Sequence, residues 1–254
     1  MRFVSLRALR RIFLQGVGLF LAVSVVLTLL FRWVPLPLSS LMIQRQITAK
    51  WQGDQGYRLV HTWVGLDQIS LYAPLAVIAA EDQKFFEHDG FDFDAMGKAW
   101  QANQHRRRPL GASTISQQVA KNLYLWPGRT FFRKGVEAWF TLLLEGLWPK
   151  QRILEVYLNV AEFGPGIFGV EAASRTYFHK SAIRLTSPDA ALLAAILPSP
   201  LRSDLDHPTS YILSRARHIE RQMKLMGGGA YLKQLIRPDK ELKSSKRTGK
   251  YRGD

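Results

Sequence analysis

GASTISQQVAKN, residues 111–122, is the stretch on which the reading of this chain turns. Thr114 and Gln117 stand at the spacing of a capping box, in which each side chain satisfies a backbone N–H of the other residue, so a helix is predicted to begin here. Along that helix Ile115, Val119 and Leu123 form an apolar stripe, while Thr114, Gln118, Lys121 and Asn122 form a polar one. Such a polar stripe can grip a phosphorylated sugar, with Lys121 as a mobile point charge and the amides bonding sugar groups. The plain alternative is an ordinary amphipathic surface helix.

Helical periodicity continues on both sides. It runs through Leu75, Ile78 and Ala79, then Val136, Trp139, Phe140 and Leu143, then Ile153, Leu154, Tyr157 and Leu158. Ser187-Pro188-Asp189 reads as a capped helix start, and the apolar AALLAAIL after it ends at Pro198 and Pro200. No sustained period-2 strand pattern competes, so a mainly α domain is expected over residues 67–226. Ahead of it, residues 34–66 read as a connector, with Pro35, Pro37 and the stretch from Gly53 to Gly56 as breakers and a short helix over residues 40–51. Beyond it, residues 227–254 form a basic tail with little to bury, expected to be mobile.

Residues 12–31, IFLQGVGLFLAVSVVLTLLF, carry no charge. As a helix they would cross a hydrocarbon layer of about 30 Å. Arg2, Arg7, Arg10 and Arg11 precede the run and only Arg32 closely follows it, which places the N-terminus in the cytoplasm and the remaining domain outside. No A-x-A cleavage site follows, so residues 1–33 are expected to be an uncleaved anchor rather than a signal peptide. Removing them is expected to leave a foldable domain. The 254 residues include 35 Lys and Arg against 20 Asp and Glu, a formal charge of +15, which points to an anionic partner. Cysteine is absent, which excludes disulfides, thiolate metal sites and a cysteine nucleophile.

Two further segments carry chemistry. In AAEDQKFFEHDGF, residues 79–91, an apolar helix runs straight into Glu81 and Asp82. A carboxylate desolvated by neighbours such as Phe85 and Phe86 has a raised pKa and suits proton abstraction near neutral pH, making Glu81 the candidate base; a solvated helix end is the plain alternative. In RKGVE, residues 133–137, Arg133 and Glu137 sit four apart. They read as a surface ion pair or as an active-site acid with a cation that neutralises leaving-group charge. KQRILEVYLNVAEFG, residues 150–164, has the periodicity of scaffold.

Taken in order, EDQKFFEHDGF, GASTISQQVAKN, RKGVE, KQRILEVYLN and GIFGVEAASRTYF resemble the five motifs of glycosyltransferase family 51, in particular its monofunctional biosynthetic peptidoglycan transglycosylases. The same domain heads the class A penicillin-binding proteins, whose transpeptidase domain is not expected here. The resemblance implies a lysozyme-like, two-lobed helical fold after one N-terminal transmembrane helix. It also implies polymerisation of lipid II, with release of undecaprenyl pyrophosphate and inversion at the anomeric carbon. Glu81 then matches the general base and Glu137 the second acid. Lys121 and Arg133 match cations on the pyrophosphate side. Asp82, Phe85, His88, Ser113, Thr114, Gln118, Asn122 and Lys134 match substrate-binding positions around the cleft. Departures are small: Ala112 stands where many relatives have glycine, and Asp189 where glutamate is common.

The resemblance brings expected partners: lipid II, the lipid-linked growing glycan chain, membrane lipids and, among proteins, penicillin-binding and division proteins. Nucleic acid is not expected. No cofactor is required by the sequence; a divalent cation, Mg or Mn, is used by some members of the family, but no dedicated ligand set is visible here. The main rival is a lysozyme-like peptidoglycan-cleaving enzyme, which would have no pyrophosphate for Lys121 and Arg133 to stabilise. The other is an anchored module that binds nucleic acid through its charge.

Overall fold

A short helix with every side chain from Ala73 to Ala79 buried is apolar on all sides, and such a helix belongs at the centre of a domain. The computed structural model of the protein describes residues 6–104, 106, 111–128, 130–228, 230 and 232. Arg2 and most of the expected tail over residues 227–254 lie outside the described residues. In chain order the elements are α1 (Leu6–Phe31), α2 (Ser40–Trp51), β1 (Val60–His61), α3 (Tyr72–Glu81), α4 (Phe93–Asn103), α5 (Ile115–Tyr124), α6 (Phe131–Leu147), α7 (Lys150–Val160), β2 (Glu162–Gly164), β3 (Ile167–Phe168), α8 (Val170–Phe178), α9 (Ser187–Ile196) and α10 (Ser210–Leu225). The fold is mainly α, as the periodicity requires.

The central helix α3 packs on α9, which is almost as apolar, and α10 covers both. Beside this group α5 packs against α6 and α7, and α7 reaches α3. The capping box that opens α5 forms as spaced: Gln117 N–H donates to Thr114 Oγ1 at 3.2 Å and Thr114 N–H to Gln117 Oε1 at 3.0 Å. Helix α9 is capped one residue earlier than the sequence suggests, by Thr186, whose N–H donates to Asp189 Oδ2 at 2.7 Å.

A three-stranded sheet of order β1-β3-β2 was not expected. Its strands are two or three residues long, too short to show alternation. Gly166, at φ 75°, makes the turn between β2 and β3 possible, because a Cβ there would lie 2.2 Å from the Arg58 carbonyl oxygen. The sheet draws the expected connector into the domain. Leu36 and Met42 are core residues, and Asn159 of α7 exchanges two hydrogen bonds of 2.9 Å with the backbone of Val64. Parts of residues 34–66 are therefore packed on the domain, while residues 51–56 are exposed, and α2 spans the predicted positions.

Within α1, Leu9–Phe31 is long and apolar enough to cross a membrane. Its last two turns are docked on the domain. Trp139 Nε1 donates to Ser24 Oγ at 3.0 Å, Trp148 Nε1 to the Thr28 carbonyl at 2.7 Å, and Arg152 Nη2 to the carbonyls of Phe31 and Val34 at 2.8 and 2.7 Å. Ser24 and Thr28 are buried there, against an otherwise exposed apolar helix. The sequence showed the span but not this dock, because the partners lie more than a hundred residues away.

Cutting the chain after residue 33 removes the acceptors on Ser24, Thr28 and Phe31, whereas cutting after residue 20 keeps them. In detergent, the protein retaining residues 21–254 is expected to melt several degrees above the one retaining residues 34–254. Each lost side-chain hydrogen bond is worth about 0.5–1.5 kcal/mol, and ~1 kcal/mol moves the midpoint of a domain this size by roughly 2–4 °C. Circular dichroism melts decide it, and equal midpoints would mean that the dock adds no stability.

Candidate active site

Glu81 is the last residue of α3, where the buried helix meets a cleft. Its Oε2 accepts from Gln118 Nε2 at 2.9 Å, and its Oε1 faces Arg215 Nη2 of α10 at 3.5 Å. Burial raises the Glu81 pKa; the Gln118 bond, Arg215 and Lys121 oppose this, and the charge of Asp82 adds to it. Desolvation prevails, which is how a carboxylate becomes a stronger base. Gln118 is itself oriented, because the Tyr157 hydroxyl donates to its Oε1 at 3.2 Å and leaves the NH2 to face Glu81. Tyr157 is held well above its ordinary pKa by burial and by the charges of Glu81 and Asp82, so it remains a donor.

The loop after Glu81 is fixed from within. Asp82 Oδ1 accepts from His88 Nε2 at 2.9 Å, and its Oδ2 accepts from the Ile115 N–H at 3.0 Å. His88 Nδ1 accepts from the Gly90 N–H at 3.1 Å, which assigns the ring proton to Nε2. Thr114 Oγ1 donates to the Gly90 carbonyl at 2.7 Å, and Phe85 is fully buried with Lys150 Nζ 4.6 Å over its ring. Asp82, Phe85, His88 and Thr114, expected to contact substrate, thus also bond to or pack against protein. In this geometry they shape the loop. Asp82 and Thr114 also line, with Glu81, Lys84, Asp92, Ala112 and Ser113, a cavity of about 240 Å³.

One turn along α5, Gln118, Lys121 and Asn122 share the wall of a second cavity of about 240 Å³, so the polar stripe faces one space. Lys121 and Asn122 also line a larger adjoining cavity of about 530 Å³ with Arg133. Among the described residues the Lys121 ammonium makes no hydrogen bond or salt bridge, and burial lowers its pKa; Glu137 and Glu81 oppose this, while Arg133 and Lys134 reinforce it. Glu137 is buried and accepts from Arg133 Nη1 at 3.1 Å and from Lys134 Nζ. The Arg133–Glu137 pair is therefore no exposed surface pair. Arg133 Nε is buried without a partner among the described residues.

Three residues near the site escaped the sequence reading. Tyr157 was assigned to the core of α7; a phenol at a core position, whose hydroxyl needs a partner, was the available signal. Arg215 lies far along the chain from Glu81 and gave no local signal. Glu145, on the face of α6 that also carries Glu137 and Thr141, accepts from Lys150 Nζ at 2.8 Å and bonds the Ser116 hydroxyl, anchoring α5 to α6.

Residues 46–224 match the family described as Transglycosylase, and the chain belongs to that family. It is thus an enzyme that transfers glycosyl groups. Among curated proteins the chain is similar to the biosynthetic peptidoglycan transglycosylase of Citrobacter koseri, 52% identical over 239 residues that cover 91% of this chain and 96% of the relative. It is also similar to those of Pectobacterium carotovorum subsp. carotovorum, at 50% identity over 89% of this chain and 93% of the relative, and of Pasteurella multocida, at 52% over 83% and 85%.

Because the Glu81 pKa is raised on folding, the folded chain holds this proton more tightly than the unfolded one. Stability contributed by the protonated carboxyl therefore falls as pH rises from the ordinary value of 4.5 through the raised one. Glu81→Gln has no such loss. Between pH 4.5 and pH 8 its melting temperature is expected to fall less than that of the parent, and at pH 8 to equal or exceed it. A variant that melts well below the parent at pH 8 would identify Glu81 as a structural anchor.

Proposed function

We propose that this enzyme, a peptidoglycan glycosyltransferase, polymerises lipid II into glycan strands. The observation that carries the reading is the desolvated Glu81 carboxylate bonded at 2.9 Å to Gln118, which shares a cavity wall with Lys121, a lysine whose ammonium has no bonded partner among the described residues. Glu81 takes the proton from the 4-hydroxyl of the N-acetylglucosamine on the incoming acceptor. The freed oxygen forms a bond to the anomeric carbon of the terminal N-acetylmuramic acid of the growing chain. The bond from that carbon to phosphate breaks with its electron pair, undecaprenyl pyrophosphate leaves, and configuration inverts.

The second half of the cleft suits the leaving group. Lys121, Arg133 and Lys134 supply positive charge where the pyrophosphate develops its own, and Glu137 holds the latter two in place through its buried carboxylate. Gln118, Asn122 and Ser113 supply hydrogen-bonding groups for the sugars. A divalent cation, Mg or Mn, would find acceptors in the pyrophosphate oxygens; no group of three His, Asp or Glu ligands gathers among the described residues. The N-terminal Arg residues keep that end of α1 in the cytoplasm and put the cleft at the outer face of the inner membrane, where a lipid-linked substrate resides. Penicillin-binding and division proteins are the protein partners this location favours.

Detergent-solubilised protein given labelled lipid II is expected to make polymer and to leave finished cell wall uncleaved. Glu81→Gln is expected to lower the rate by about a hundred- to ten-thousand-fold, the usual loss for a general base. Lys121→Ala is expected to impair use of the pyrophosphate-linked donor far more than thermal stability. A Glu81→Gln enzyme within about tenfold of the parent would rule out the base assignment.

A further inference from the structure

We infer that Arg45, on the helix that follows the membrane span, is a further cation of the donor diphosphate site, and that Glu162 is the residue that positions it. Neither lies in the motifs that carry the proposed chemistry. Arg45 Nε donates to Glu162 Oε1 and Oε2 at 3.1 and 3.0 Å, and its Nη2 donates to Oε2 at 2.7 Å. Nη1 has no partner among the described residues, so one edge of the guanidinium is fixed and the other is open. The carboxylate is 4% exposed and the arginine 35%, which places the anchor inside the protein and the open edge at the surface of the cleft.

That cleft surface is specific. Arg45 and Leu41 join Lys121 and Asn122 in lining both the cavity of about 240 Å³ and the cavity of about 530 Å³. The larger cavity is lined by three cations, Arg45, Lys121 and Arg133, and by no Asp or Glu among the described residues. Trp126, Pro127 and Leu125 complete it with apolar surface, as suits a phosphorylated prenyl chain. The two walls are held in register: Ser40 Oγ and Gln44 Nε2 of α2 both donate to the Leu125 carbonyl, at 2.8 and 2.5 Å, at the end of the helix that carries Lys121.

The chemistry follows from charge and reach. A diphosphate spreads its charge over two phosphoryl groups, and cations on two facing walls can meet both; a monophosphate can satisfy only one wall. A guanidinium held along one edge loses little further freedom when the other edge binds phosphate. Arg45 is therefore a specificity residue for diphosphate over monophosphate. This rests on the reading of the donor as a lipid-linked diphosphate.

The test uses the full chain in detergent, with farnesyl diphosphate and farnesyl monophosphate as probes in titration calorimetry. Arg45→Gln is expected to weaken the diphosphate about tenfold, as for loss of one charge-assisted contact, and the monophosphate by less than about threefold, so the preference between them collapses. Glu162→Gln is expected to weaken the diphosphate less, and to add nothing in an Arg45→Gln background, the coupling a positioning residue requires. Should Arg45→Gln fail to fold, Arg45→Lys, which keeps a charge beside Glu162 but not the fork, carries the same comparison. An Arg45 variant that folds and binds both probes as the parent does overturns the inference. If the parent shows Arg45-dependent diphosphate preference but makes no polymer from lipid II, the site stands and the polymerase reading falls. If it makes polymer with no such dependence, only Arg45 falls.

Discussion

The carboxylate of Asp82 joins the parts on which everything else in the cleft depends. One oxygen accepts the first N–H of α5 and the other accepts the His88 ring, so the end of α3, the start of α5 and the loop between them share a single buried charge. The N-terminus of a helix favours an anion, and the two bonds leave this one with little unmet demand. Its neighbour Glu81 is consequently presented at a fixed angle to Gln118 and Lys121. A shift of Asp82 would move both walls of the site at once.

The readable part of this arrangement was local in sequence. The capping box at Thr114 and Gln117, the polar stripe of α5 and the buried run before Glu81 are all set by neighbours within eight residues, and the structure forms each of them. What sequence could not give was the direction in which side chains turn once helices pack. Asp82, Phe85, His88 and Thr114 carry groups that suit a substrate, and packing also ties those groups into the loop, while Asp82 and Thr114 still line the cavity beside Glu81. Arg215 and Tyr157 reach the base only because α10 and α7 lie against α3 and α5. The short sheet was invisible for a different reason, since strands of two or three residues have no period to read.

The anchor and the catalytic domain are less separable than their compositions suggest. Indole N–H groups of α6 and its following residue end on the backbone and a hydroxyl of α1, and α2, the next helix along the chain, walls the cleft. A freely jointed tether would let the domain tumble above the bilayer. With α1 in a membrane as proposed, a docked helix instead fixes the height and tilt of the cleft relative to the proposed lipid-linked substrate, so that delivery becomes a matter of lateral diffusion rather than of chance orientation.

The chain of bonds from Tyr157 through Gln118 makes the two oxygens of Glu81 chemically inequivalent. Oε2 is occupied by an N–H donor, and the amide cannot turn to offer its oxygen without stranding the phenol. In the proposed reaction an arriving proton goes to the less tightly bonded oxygen, Oε1, which faces Arg215 across 3.5 Å. Once the proton is there, the arginine loses its counter-charge and raises the local potential, which drives the proton off again. In the proposed reaction the proton passes to water, and the base is thus regenerated by the same asymmetry that selects which of its atoms reacts.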